Sequence, residues 1–285
     1  MPFWLSIACL SVFQGALVAL PGVLDAPALA RLRGGGWAAI LPISVGGFVL
    51  IARGAEQASA EGLTYLALVA VPLLAALALA FLSRGARPWL ALLAPALFAL
   101  AWADRGGLAG NGAATVLSGL SCVSLGVLLA AITPRRWLAL GIVAMAIVDT
   151  SLVVSDLLQS PNDALNAAAP AAGLPRLQSA SFGSAVMGYG DLFVAAVLGG
   201  LLAADRRPGR QWSGAALTAI LALAFDLLFY AVDELPATVP VALALVALEL
   251  RRRRRSAAAP GAEPVVRAAG RRHLPARPGR RSPAP

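Results

Sequence analysis

The sequence predicts an all-α polytopic membrane protein of about nine transmembrane helices. The chain of 285 residues is 59% hydrophobic, with a mean hydropathy of +0.78, and only 13% of its residues are charged. Soluble domains carry about a quarter charged residues, so this chain has too little polar surface to coat a water-soluble globule. Its apolar residues also come in long runs, and crossing roughly 30 Å of hydrocarbon takes about 20 residues.

The runs lie near residues 3–24, 37–52, 62–82, 88–103, 112–132, 137–158, 180–203, 212–232 and 235–250. Glycine and proline inside several of them are compatible with spanning, because neighbouring helices can satisfy the backbone groups they free. The connecting loops alternate in charge. Arg31 and Arg33, Arg84 and Arg87, Arg135 and Arg136, and Arg206, Arg207 and Arg210 mark every second loop. The intervening loops are poor in arginine or acidic: Arg53 with Glu56 and Glu61, Asp104 with Arg105, Asp163 with Arg176, and Asp233 with Glu234. By the positive-inside rule this places the N-terminus outside and the C-terminus in the cytoplasm. The first run follows Met1-Pro2-Phe3-Trp4, with no positive leader or clear cleavage site, and reads as a retained helix.

All 23 basic residues are arginine, and 11 of them follow Leu250, where Glu263 is the only acid; the tail carries +10 and residues 1–250 carry −1. The division is therefore a nine-helix membrane domain over 1–250 and a disordered, basic cytoplasmic tail over 251–285. Arg251 to Arg255 read as a stop-transfer anchor that can also meet anionic lipid headgroups. This distribution argues against nucleic acid as a partner. The loop over about 159–179, rich in Ala, Pro and Asn, is expected to be irregular or partly helical on the outer side. Abundant Arg, Ala and Gly suggest a bacterial high-GC genome, hence a bacterial plasma membrane.

An acid inside a membrane span is costly and marks a functional site by default. Asp149 lies 13 residues beyond Arg136, Asp191 lies 15 before Arg206 and Asp226 lies 16 beyond Arg210. At 1.5 Å per residue all three fall in one layer, roughly 20–24 Å from their basic anchors. Asp156 lies near the outer interface and reads as a surface carboxylate. Asp149 and Asp191 occupy consecutive antiparallel spans. Two carboxyls facing each other in a low-dielectric site cannot both ionise cheaply, so one keeps a proton while its partner stays charged. Such a pair can activate water and protonate an amide. Gly188 and Gly190 in Gly188-Tyr189-Gly190-Asp191 clear side chains from beside the acid, where an extended peptide has to approach. Asp226 reads as a helix-bonding residue, or as a possible third acid.

Val148-Asp149 in the sixth run, Gly188-Tyr189-Gly190-Asp191 in the seventh and Pro236-Ala237-Thr238 opening the ninth together resemble the presenilin and signal peptide peptidase family. That family has nine spans, with Tyr-Asp in the sixth, Gly-x-Gly-Asp in the seventh and Pro-Ala-Leu at the ninth. The resemblance covers about residues 136–250 and implies a presenilin-like bundle. It further implies an intramembrane aspartyl protease with Asp149 and Asp191 as catalytic pair and no metal or cofactor. Gly188, Tyr189, Gly190, Pro236, Ala237 and Thr238 would then border a cleft for a transmembrane protein or peptide substrate. The N-out, C-in topology is similar to the signal peptide peptidase branch. Val148 stands where the family has tyrosine, and Thr238 where it has leucine.

Rival readings differ at particular residues. Prepilin peptidases also use Gly-x-Gly-Asp, with a lysine two positions on and acids near the cytoplasmic face; here Phe193 takes that position and the chain has no lysine. Serine catalysis of the rhomboid kind needs a membrane histidine and zinc proteases need His-Glu-x-x-His, whereas the one histidine is His273 in the tail. Cys9 and Cys122 lie in apolar runs and suggest no disulfide framework. A transporter or a membrane scaffold is the alternative of a different class, with Asp226 as the third member of an acid relay.

Overall fold

The computed structural model describes residues 2–54, 56–157, 159, 163, 173–232 and 235–258. Each apolar run contains one helix: α1 (Phe3–Ala19), α2 (Ile40–Gly54), α3 (Glu56–Leu77), α4 (Leu93–Ala103), α5 (Leu108–Ile132), α6 (Arg135–Val154), α7 (Tyr189–Ala203), α8 (Pro208–Asp226) and α9 (Thr238–Ala258). Short 3-10 or π turns extend several of them: Gly35–Ala39 before α2, Ala78–Leu82 after α3, Pro88–Leu92 before α4 and Leu227–Tyr230 after α8. Four stretches among the described residues are long and apolar enough to cross a membrane: Ala60–Leu82, Leu108–Ile132, Arg135–Val154 and Pro208–Tyr230. Phe3–Ala19 and Tyr189–Ala203 are apolar but shorter.

Helix α7 is the axis of the bundle. Leu192 and every residue from Val194 to Ala203 are buried. Small residues let its neighbours approach at backbone distance. A Cβ on Gly126 of α5 would sit 2.6 Å from the Ala196 carbonyl, one on Gly200 would sit 2.7 Å from the Gly126 oxygen, and one on Gly199 would sit 2.6 Å from the Val18 oxygen of α1. α7 is thus clasped between α5 and α1, a small-residue interface of the kind that drives helix association where lipid supplies no hydrophobic contrast. Further out, α8 packs on α1, α3 and α4 pack on α5, and α2 packs on α6.

The largest departure from sequence expectation is in the seventh run, read as one helix over 180–203. Residues Ser179–Phe182 (β1) and Ala185–Gly188 (β2) instead form an antiparallel hairpin, paired from Ser179 with Gly188 to Phe182 with Ala185, and helix begins only at Tyr189. The two-residue turn Gly183-Ser184 has Gly183 at φ +60°, which suits a tight hairpin turn. Buried Ala185 and Met187 alternate with exposed Val186 and Gly188, a period of two rather than 3.6. The mostly helical reading therefore holds with one hairpin inserted.

Two boundaries also move. α6 stops at Val154, leaving Asp156 exposed beyond it with φ +56°. α9 carries on through Arg251 to Ala258, so the tail's first residues are helical rather than disordered; alanine and arginine are both strong helix formers. Residues 259–285, Asp233, Glu234 and most of the 159–179 loop lie outside the described residues.

One end of the bundle is ionic. Arg135 at the start of α6 pairs with Asp205 (2.6 Å) and with Glu249, and Arg210 of α8 reaches Asp205 and Glu249 (2.9 Å). Arg206 pairs with Asp25, and Arg84 donates to Gln211 at 2.6 Å. Buried Gln211 donates to the carbonyls of Val18, Ala19 and Pro21, filling acceptors that the end of α1 leaves open. Aromatic rings mark another junction: Phe3 meets Phe229 edge-on and Trp4 stacks on Tyr230 at 4.5 Å.

Because Gly126 is in backbone contact with α7, Gly126→Ala is expected to destabilise the folded protein by about 1–3 kcal/mol through overpacking. Gly209→Ala, in α8 with nothing within 4 Å, should be neutral or slightly stabilising. Thermal unfolding of the two variants in detergent checks the contrast; equal melting temperatures would contradict the close α5–α7 crossing.

Candidate functional site

The chain break that shortens α7 also places Asp191. Gly188 is the N-cap and Asp191 falls in the first turn, at the third helical position. From there its carboxyl faces back toward Gly188. The Cβ that Gly188 lacks would lie 3.0 Å from Asp191 Oδ2, so glycine is the residue that leaves this acid room. Asp191 is half-buried, and Leu192 behind it is fully buried.

Asp149 comes from the last third of α6 and is buried. Thr238, the first residue of α9, donates its hydroxyl to Asp149 Oδ2 at 2.6 Å. Both acids therefore lie at helix starts: Asp191 at that of its own α7, and Asp149, from α6, against that of α9. There, exposed peptide N–H groups and the positive end of the helix dipole favour negative charge. One side chain of α1 links the surroundings of the two acids: Gln14 Nε2 lies 2.8 Å from the carbonyl of Ala237, the residue before Thr238, and 3.5 Å from the carbonyl of Asp191.

The other residues singled out by sequence divide. Thr238 is in contact with Asp149, and Ala237 turns its carbonyl to the Gln14 amide at 2.8 Å. Pro236 is buried just before them. Gly190 is beside the site, its missing Cβ 3.7 Å from Met145 of α6. Tyr189 points elsewhere: its hydroxyl hydrogen-bonds Ser121 at 2.7 Å, and Cys122 Sγ lies 3.8 Å from its carbonyl, both on α5. It anchors the start of α7 rather than lining the approach to the acids. Asp226 accepts a 2.6 Å hydrogen bond from buried Ser11 of α1, the helix-bonding role expected for it.

Sequence reasoning missed two supports. One is a ladder of hydroxyls on α5: Thr115 donates to the Ser181 carbonyl, Ser118 to Leu177 and Ser124 to Leu74. With Ser121 between Ser118 and Ser124 the hydroxyls recur every three residues, the available signal, hidden within an apolar run. The other is Gln14, buried on α1 and bonded to Ala237. Its polarity in the middle of the first run was the clue.

Two surface grooves lie elsewhere. One of about 410 Å³ is lined by Gly34, Trp37 and Ile43, and another of about 330 Å³ by Leu24, Asp25 and Arg33, both near the arginine-bearing loops. Among the described residues no cluster of His, Cys, Asp and Glu has the makings of a metal site.

Thr238→Val removes the hydroxyl while keeping the shape, and should cost about 1–3 kcal/mol by leaving a buried carboxyl with one donor fewer. Thr238→Ser should recover most of this, and thermal unfolding of the pair measures it. Compared with protein-family models, with curated proteins and with solved structures, the chain matches none.

Proposed function

We propose that the protein is an intramembrane aspartyl protease that hydrolyses peptide bonds within transmembrane segments through the Asp149/Asp191 dyad. The observation that carries this reading is the convergence of the settings of the two acids: the Thr238 hydroxyl bonds Asp149, and Gln14 reaches both the neighbouring Ala237 carbonyl and the carbonyl of Asp191, beside the bare backbone of Gly188. The ionised carboxyl takes a proton from water as its oxygen attacks the scissile carbonyl carbon. The protonated carboxyl gives its proton to the carbonyl oxygen, producing a neutral tetrahedral diol. Collapse of the diol breaks the C–N bond, with a proton passing to the leaving nitrogen, and restores one proton to the pair.

The hairpin supports the same reading. A helical substrate hides its amides, so cleavage needs an extended strand. β2 is an edge strand that runs into Gly188 and ends three residues before Asp191, and it offers main-chain groups to which an extended peptide can add. β1, on its other side, is held to α5 through Thr115. Nine spans with the N-terminus outside and the C-terminus cytoplasmic fit the gathering of Arg84, Arg135, Asp205, Arg210 and Glu249, drawn from alternate loops, into one hydrogen-bonded end.

The test is labelling of the purified full chain by a photoreactive hydroxyethylene peptidomimetic, a mimic of the tetrahedral intermediate. Labelling that an unlabelled analogue competes away is expected in wild type and abolished in Asp149→Ala and Asp191→Ala. Asp226→Asn should keep at least half of it. A folded wild type that takes no label, or labelling indifferent to both alanine variants, would overturn the reading in favour of a transporter or scaffold.

A further inference from the structure

We infer that Gln14 is the positioning residue that fixes the separation of the two acids; this deepens the protease reading and rests on it for its catalytic meaning. Gln14 lies in the middle of α1, in an apolar run, and its side chain is completely buried. Burying an unpaired amide costs on the order of 1–3 kcal/mol, so a residue kept only for packing would be apolar. Its Nε2 donates to the Ala237 carbonyl at 2.8 Å and lies 3.5 Å from the carbonyl of Asp191 itself. Its Oε1 is buried with no hydrogen-bond partner among the described residues. The amide is therefore oriented by its donor side, and half its capacity is forgone to hold that contact.

The consequence is mechanical. The peptide unit whose carbonyl Gln14 holds joins Ala237 to Thr238, and the Thr238 hydroxyl bonds the Asp149 carboxyl. From Gln14 to Asp149 the path is thus one peptide unit and the Thr238 side chain, and from Gln14 to Asp191 it is the acid's own main chain. The acids come from α6 and α7, and the support of Asp149 comes from α9. A single side chain of α1 touches both halves. Neighbouring Ser11 and Gly15 fasten α1 to α8 through Asp226 and Ala219, so the amide is presented from a fixed helix.

Two measurements on the full chain decide it. In a Cys9→Ser/Cys122→Ser background, Asp191→Cys and Ala237→Cys leave both carbonyls in place and report the gap by oxidative cross-linking. Adding Gln14→Met, similar in length but unable to donate, should slow cross-linking at least threefold; an unchanged or faster rate overturns the inference. In the otherwise native chain, Gln14→Met should lower hydroxyethylene photolabelling about tenfold and shift its pH range. Gln14→Glu should label at low pH, where the protonated carboxyl donates to Ala237, and lose labelling as pH rises and the donor is gone. Full labelling of Gln14→Met, with both aspartate variants blank, would refute the role of Gln14 and leave the protease reading intact. A blank wild type would refute that reading, and the cross-link would still decide whether Gln14 holds the gap.

Discussion

The arrangement depends on two carboxyls being kept in an apolar body by helix starts. An isolated charge in such surroundings costs several kcal/mol, and charged residues inside membrane spans therefore pair or mark function. Here the compensation comes from helix N-termini: Asp191 lies in the first turn of α7, and Asp149 accepts the hydroxyl of the residue that opens α9. For this to work, α7 and α9 have to begin where the acids are. That requirement explains why the seventh run is broken at Gly188 and why Pro236 precedes the ninth helix: proline disfavours continuing a helix through the residue before it.

A helix that starts inside the bundle creates a second problem, because the preceding residues are irregular backbone at depth. Such backbone is tolerated only where protein or water satisfies it. The hairpin pairs β1 with β2, and the α5 hydroxyls take the carbonyls of Leu177 and Ser181. Ser6 of α1 accepts the N–H of Ser184 in the turn, and Ser121 fixes Tyr189. Polar residues on α1 and α5 thus clasp one structural exception from both sides. Between those contacts, small residues bring the same two helices against α7. Site and packing axis are one object, so core mutations in α1 or α5 reach the acids with few intermediaries.

Much of this was legible in the sequence, at the level of hydropathy. Each apolar run holds a helix, and Asp149 and Asp191 stood out as acids within such runs. What escaped were features that averaging over a run removes. Residues 180–188 are apolar enough to join the following helix, and only the Gly-Ser turn and a period of two distinguish them. Gln14, Ser11 and the α5 hydroxyls are single polar residues whose partners lie far along the chain, 223 positions away for Gln14 and Ala237. Tyr189 misled for another reason: its motif fixed its place on the chain, while its ring turned toward Ser121. Motif membership does not determine side-chain direction.

The two departures from the motifs this chain resembles are best understood together. Val148 has no hydroxyl to offer beside Asp149, whereas Thr238 stands where leucine would be and brings a hydroxyl to that same acid from α9. A leucine there would have no hydroxyl, leaving Asp149 with less hydrogen bonding in a buried position. A donor supplied from across the interface makes the surroundings of Asp149 depend on the docking of α9 and, through the Ala237 carbonyl, on α1. The setting of Asp149 and Asp191 is thus complete only when α1, α6, α7 and α9 are all in place.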